Sequence, residues 1–269
     1  MCDSSPSPSV HPVSVQSVHL RYGALEVLRG VSLDIHAAEG VVLLGANGSG
    51  KSTLMRTLNR LARPQSGDIL INGDSVVKAR TPALRKIRRH MGYVFQQFNL
   101  VSQLSVFQNV LMGKMGAHRF GLLNCIASTA SHADREYAMA CLERVGMAER
   151  AAQRPTELSG GQQQRVAIAR MLMQSPSLVI ADEPIASLDP RGGREVLDLL
   201  WEIVRENNLA MLCTLHQLDL ARHYADRIVG IKNGVTVLDA TVEKINDADL
   251  SHLYDDSTTA LTSSDTPTS

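Results

Sequence analysis

The chain has 269 residues, 44% hydrophobic and 20% charged, and its 27 basic and 27 acidic residues cancel to a formal net charge of zero. That length and apolar content allow one large core, or a core with a smaller subdomain, and exclude a chain disordered throughout. The balanced charge leaves no electrostatic footprint for DNA or RNA, so no nucleic-acid partner is expected.

The N-terminal residues 1–12 are rich in Ser and Pro and read as a disordered tail. Met1-Cys2-Asp3-Ser4-Ser5-Pro6 carries neither a charged nor an apolar leader pattern, and no stretch nears the ~18 apolar residues of a membrane-spanning helix. A cytoplasmic location is expected. Cys2, Cys125, Cys141 and Cys213 show no C-x-x-C pairing and read as unpaired thiols. The nine histidines lack close ligand spacing, so no transition metal is assigned.

The apolar run Val41-Val42-Leu43-Leu44 reads as a buried strand and leads into Gly45-Ala46-Asn47-Gly48-Ser49-Gly50-Lys51-Ser52-Thr53, which has the spacing G-x-x-x-x-G-K-S/T of a phosphate-binding loop. Glycines let successive backbone N–H groups turn inward on phosphate oxygens, and the helix that follows adds the positive end of its dipole. Lys51 would reach the β- and γ-phosphates, and Ser52 would ligate Mg²⁺. Leu54, Leu58 and Leu61 recur at helical spacing, which predicts a helix running up to Pro64.

From Gln96 to Arg165 the pattern turns helical with few strand signals, including the run Arg135 to Val145. A helical insertion is expected there. Within it, Leu158-Ser159-Gly160-Gly161-Gln162 opens a helical run from Gln163 to Met173, so Ser159 suits either a helix cap or, with the two glycine N–H groups, a phosphate. Leu178-Val179-Ile180-Ala181 reads as a second buried strand ending on Asp182-Glu183, where a parallel sheet presents residues to ligand. An amphipathic helix through Val196, Leu200, Ile203 and Val204 follows, then a strand, Met211 to Leu215, that delivers His216. Ile228 to Ile231 and Val235 to Leu238 flank Lys232-Asn233-Gly234, a hairpin signal. Residues 255–269 read as a second disordered tail.

Taken together, the phosphate loop, the Ser159-Gly160-Gly161-Gln162 segment, Asp182-Glu183 and His216 resemble the ATP-binding cassette family of transporter ATPases in order and spacing, from Val13 to Leu253. The resemblance implies an α/β fold: a P-loop NTPase (RecA-like) core with a mixed, mainly parallel sheet, an N-terminal antiparallel β-subdomain and an inserted α-helical subdomain. On this reading 13–95 and 166–254 form the nucleotide-binding core and 96–165 the helical signature subdomain, together the single domain 13–254.

By the same resemblance, Tyr22 stacks on adenine, Gln96 is the Q-loop glutamine, and Ser187-Leu188-Asp189 is the D-loop. Two copies pair head to tail, so that the phosphate loop of one and Ser159-Gly160-Gly161 of the other enclose one ATP. Mg²⁺ is held by Ser52, Asp182 and Gln96, Lys51 offsets charge on the γ-phosphoryl group, Glu183 is the general base, and His216 holds phosphate and water in line. A groove with Phe95, Phe98 and Leu100 as candidate lining receives a short helix of a multi-span membrane permease, which a periplasmic solute-binding protein serves.

Asp182-Glu183-Pro184-Ile185-Ala186-Ser187-Leu188-Asp189-Pro190, Thr214-Leu215-His216-Gln217-Leu218-Asp219, Val94-Phe95-Gln96-Gln97-Phe98-Asn99-Leu100 and His252-Leu253-Tyr254 look like the phosphonate-importer ATPases. Import of phosphonate or phosphite is therefore expected, at the cytoplasmic face of the bacterial inner membrane. The alternatives are an importer of polar amino acids or another anion, a soluble non-transport cassette ATPase, and a non-hydrolytic regulatory module. Ala38-Glu39-Gly40 departs from the Gly-Glu turn usual before the phosphate-loop strand, which bears on that turn and not on the chemistry.

Overall fold

The structure is a computed structural model that describes residues 12–116 and 130–254. Apart from Pro12, the two tails expected from the sequence lie outside the described residues, as do Cys2 and Cys125. In chain order, β1 (Val13–Tyr22) and β2 (Leu25–Ile35) pair antiparallel, and β3 (Gly40–Leu44) runs into the phosphate loop and α1 (Lys51–Leu58). The chain then makes β4 (Ser66–Ile71), β5 (Asp74–Ser75), α2 (Thr81–Arg89) and β6 (Met91–Val94). Among the described residues, three α-helices follow: α3 (Val106–Leu111), α4 (His132–Arg144) and α5 (Gly160–Leu172). The rest is β7 (Leu178–Ala181), α6 (Pro190–Glu206), β8 (Ala210–Thr214), α7 (Leu218–Tyr224), β9 (Arg227–Lys232), β10 (Val235–Thr241) and α8 (Asp247–Tyr254).

Two sheets result. One is antiparallel in the order β2-β1-β4-β5; the other has the order β10-β9-β3-β8-β7-β6, parallel throughout except for β10. The antiparallel unit is discontinuous in sequence, because β4 and β5 come from beyond α1; β4 covers the edge of β1 that β2 leaves open, and β5 pairs with β4.

The period-2 alternation of β3 sends its side chains into two separate cores. Val41 and Leu43 pack with the antiparallel sheet, α1 and α2, whereas Val42 and Leu44 pack with α5 and α6, and all four are fully buried. Strands buried on both faces explain why β3, β7 and β8 read as unbroken apolar runs rather than alternating ones. In the helical segment α3, α4 and α5 pack on one another.

The first helix ends earlier than the leucine spacing predicts. Arg60 adopts a left-handed conformation with φ +55°, and the amides of Arg60 and Leu61 close back on the carbonyls of Thr57 and Arg56. This is a Schellman C-cap, normally a glycine feature. The Arg60 guanidinium offsets the strain by donating to the carbonyls of Val76 and Ala79. Leu61 is consequently 65% exposed.

The hairpin is formed as its sequence predicts, with Asn233 at φ +51° and Gly234 at φ +79°. Its turn also has a second job. The Gly234 amide donates to the Ser49 carbonyl and the Gly234 carbonyl accepts from Arg29, so the turn braces the phosphate loop against β2. Ala38, where the family pattern is broken, sits at φ +60° and is followed by Glu39, whose carboxylate accepts from the His36 amide and pairs with Arg227.

Candidate functional site

Within the parallel sheet the neighbours β3, β8, β7 and β6 run in the same direction, so their carboxyl ends share one edge. That edge gathers the phosphate loop after β3, His216 after β8, Asp182-Glu183 after β7 and Gln96 after β6. Four segments far apart in sequence become one site.

The loop between β3 and α1 is shaped by its glycines. Gly45 and Gly50 adopt φ +145° and +113°, and a Cβ on Gly45 would lie 2.1 Å from the Ile231 carbonyl oxygen. Lys51 is buried, and its Nζ donates to the carbonyls of Gly45 at 2.7 Å and Ala46 at 3.1 Å. Burial pulls the Lys51 pKa down, against the opposing pull of Glu183 and Asp182. No side chain caps the start of α1, and no acidic residue occupies its first turn. The Ser49 hydroxyl is buried without a hydrogen-bond partner among the described residues. Uncapped amides, a buried lysine and an unpartnered hydroxyl around one glycine-rich turn suit a polyphosphate.

Facing the loop, Thr214 organises the acids. Its buried hydroxyl accepts from the Glu183 amide at 2.8 Å and donates to Asp182 Oδ1 at 3.1 Å. Asp182 titrates above the usual carboxylate value, chiefly because it is buried; the Thr214 hydrogen bond lowers it, Glu183 raises it and Arg56 lowers it. A half-buried carboxylate on the same strand-end edge as the phosphate loop offers the hard oxygen donor that a cation such as Mg²⁺ takes. Glu183 sits at φ +48°, a conformation a non-glycine residue holds only when its surroundings enforce it. Its Oε1 lies 2.7 Å from His216 Nε2. Thr214 is assigned no role from its sequence position, although a lone hydroxyl at the end of an apolar strand is the available signal.

Ser159-Gly160-Gly161 is elsewhere on the surface of the same chain. Ser159 and Gln162 form a reciprocal capping box at the start of α5, the Gln162 amide donating to Ser159 Oγ and the Ser159 amide to Gln162 Oε1. The segment lines a cavity of about 510 Å³ with Ser187, Leu188, Asp189, Arg150 and Arg165, and no phosphate-loop residue reaches that cavity. Gly161 has open space where a side chain would stand. Asp189 caps α6 through the Gly192 amide at 2.9 Å. Tyr22 is 52% exposed at the end of β1. Gln96 is exposed, and its carbonyl accepts from Ser187 Oγ at 3.4 Å.

Of Phe95, Phe98 and Leu100, Phe95 borders a surface recess of about 480 Å³, together with Tyr93, Asn99, Met112, Gly113 and Arg170. Phe98 instead turns its ring towards Gly160, and Leu100 packs against the larger core, because Arg170 holds the Phe98 and Asn99 carbonyls and fixes the course of that loop. Cys141 and Cys213 are free and buried, and burial pushes the Cys141 thiol up to about 11. No helix among the described residues is long and apolar enough to cross a membrane.

Residues 28–186 match the ABC transporter family. Over 239 residues the chain is 47% identical to the phosphonates import ATP-binding protein of Nocardia farcinica, covering 89% of this chain and 88% of that protein. Over 242 residues it is 48% identical to the phosphate-import ATP-binding protein of Mycolicibacterium smegmatis, covering 90% of this chain and 91% of the relative. A dimeric bacterial ABC transporter cassette superposes with a TM-score of 0.73 at 31% identity, over 86% of this chain and 98% of that one. A dimeric post-hydrolysis cassette bound to ADP and Pi superposes with a TM-score of 0.72 at 32% identity, over 86% and 98%. Profile, relatives and fold agree, and the chain belongs to the ABC transporter family as one of its ATP-binding cassettes.

Proposed function

We propose that this chain is the ATP-hydrolysing subunit of an importer for phosphonate or a closely related phosphorus oxyanion, acting as a homodimer beneath a multi-span permease at the cytoplasmic face of the bacterial inner membrane. A periplasmic solute-binding protein takes part without touching it. The observation that carries the ATPase reading is the shared strand-end edge, on which Lys51, Asp182, Glu183 and His216 converge.

The residues divide the work by chemistry. Residues Gly45 to Thr53 hold the triphosphate, Lys51 offsets negative charge on the transferred group, and Tyr22 packs on the base. Ser52, Asp182 and Gln96 would hold Mg²⁺, which neutralises charge between the phosphates when bound. Glu183 accepts a proton from the attacking water, and His216 keeps that water and the γ-phosphate aligned. Ser159, Gly160, Gly161, Gln162 and Asp189 serve the nucleotide held by the other copy. The separation of the Ser159 cavity from the phosphate loop supports this, because one chain alone cannot enclose its own nucleotide. The dimeric ADP-bound neighbour points the same way.

Nucleotide that contacts both halves only when they are closed favours the closed state. Shifting a pair from 1:99 to 99:1 needs about 5.5 kcal/mol of differential binding, within reach of two shared triphosphates held by charge-assisted hydrogen bonds. The recess bordered by Phe95 is the site proposed for the permease helix, and 13–95 with 166–254, against 96–165, are the two parts that closure moves.

The solute assignment rests on the relatives, of which one is named for phosphonates and another for phosphate. Phosphate is therefore the second reading. The test is the reconstituted transporter in proteoliposomes with its binding protein, supplied with methylphosphonate, phosphite, phosphate or a polar amino acid. Stimulation of ATP hydrolysis by methylphosphonate or phosphite is expected. Stimulation by phosphate alone supports the second reading, and stimulation only by an amino acid overturns both.

A further inference from the structure

Gln164, on α5, is a fully buried polar side chain that the chemistry above does not use. Its Nε2 donates to the Pro184 carbonyl at 2.6 Å and to the Phe95 carbonyl at 3.3 Å. Its Oε1 is buried and has no partner among the described residues. A buried amide with one end unpaired is costlier than an apolar side chain of the same size, so its presence asks for a compensating role.

The two carbonyls suggest that role. Phe95 immediately precedes Gln96, and Pro184 immediately follows Glu183. Glu183 occupies a left-handed conformation at φ +48°, held from its amide side by Thr214 and from the next carbonyl by Gln164. Gln164 also sits on the same helix that Ser159 caps, little more than one turn further on. A helix shifts as a unit, so any displacement of Ser159-Gly160-Gly161 displaces Gln164 and draws on both carbonyls.

We infer that Gln164 is a positioning residue that links the attitude of the Ser159-Gly160-Gly161 helix to Gln96 and Glu183 of the same chain. The inference rests on the proposed roles of Gln96 and Glu183 in hydrolysis. Engagement of the signature segment by the nucleotide on the other copy is thereby felt at this chain's own acids, through one side-chain amide and two backbone carbonyls.

The test is Mg-ATP hydrolysis by the full-length chain in the reconstituted transporter, with Gln164→Met, Gln164→Glu and Glu183→Gln compared with the native chain. Methionine keeps the volume and removes the donor. Glutamate keeps the shape but donates only when protonated, a form that burial favours and low pH completes. Gln164→Met is expected to lose at least about tenfold in kcat with KM for ATP within about twofold. Gln164→Glu is expected to regain at least about threefold of kcat, relative to the native chain, as the pH falls from about 8 to about 6. If Gln164→Met does not fold, the Gln164→Glu profile decides.

Hydrolysis by both Gln164 variants within twofold of native, with Glu183→Gln inactive, overturns this inference and leaves the function standing. A pH-independent loss in Gln164→Glu with kcat and KM deteriorating together overturns it in favour of a packing role. Normal turnover by Glu183→Gln overturns the reading on which the inference depends, and the inference with it.

Discussion

His216 Nε2 lies 2.7 Å from Glu183 Oε1, so a side chain two residues beyond β8 holds the carboxylate two residues beyond β7 by a direct hydrogen bond. The ring nitrogen donates and the carboxylate accepts. Because Glu183 is held at φ +48° by Thr214 on one side, its carboxylate is fixed from both ends. A pre-aligned base has less orientation to lose on reaching the reactive geometry.

Glu183→Gln tests the base directly. The amide keeps the shape and the hydrogen bond to His216 is replaceable, but the proton acceptor is gone. ATP binding is expected to persist while hydrolysis falls about 10²–10⁴-fold. With saturating Mg-ATP the variant should accumulate as a dimer in light scattering; a monomer under those conditions contradicts the shared-nucleotide arrangement.

Thr214→Val probes the hydroxyl that joins the two acids. It leaves the Glu183 amide and one Asp182 oxygen without their partner in a buried setting, a loss of about 1–3 kcal/mol in unfolding free energy. Turnover should fall along with stability. Thr214→Ser, which restores the hydroxyl, should recover most of the activity in the same assay.

Asp182 places a cost on the nucleotide-free fold. Burial raises its pKa in the folded chain, so the folded state binds that proton more tightly than the unfolded chain. The penalty is absent below the ordinary carboxylate range, grows as pH rises through the window from that value to the raised one, and persists at neutral pH. Asp182→Asn should therefore melt higher than the native chain at pH 7, with the difference closing as the pH drops towards the ordinary value of 3.8. Calorimetry across pH measures this, and hydrolysis should fall because an acid ligand for Mg²⁺ is removed.

Ala38→Gly addresses the turn before β3. Ala38 holds φ +60° on an exposed loop, a conformation open to glycine without strain. Net of the greater freedom glycine has in the unfolded chain, a gain of about 0.5–1 kcal/mol is expected. Urea unfolding of the two proteins, with unchanged denaturant slope, checks it.

The sequence by itself determined the local elements whose physics is local. The glycine spacing from Gly45 to Gly50 fixes a turn that other residues cannot make, Asn233-Gly234 fixes a tight hairpin, and the unbroken apolar runs of β3, β7 and β8 mark strands buried on both faces. Order and spacing also identified the family, and with it the identity of the polar residues at the strand ends.

Tertiary structure decided what depends on distant partners. Strand order alone sets Gln96, Glu183 and His216 on one edge with the phosphate loop, and no sequence spacing encodes that order. Helix α1 stops before Leu61 because Arg60 finds carbonyls on a later segment to offset its strain. Phe98 leaves the recess that Phe95 borders because Arg170, far along the chain, grips the loop. Thr214 and Gln164 escaped notice for the same reason: a hydroxyl or an amide acquires meaning only from the groups it meets, and those groups lie 20 to 69 residues away.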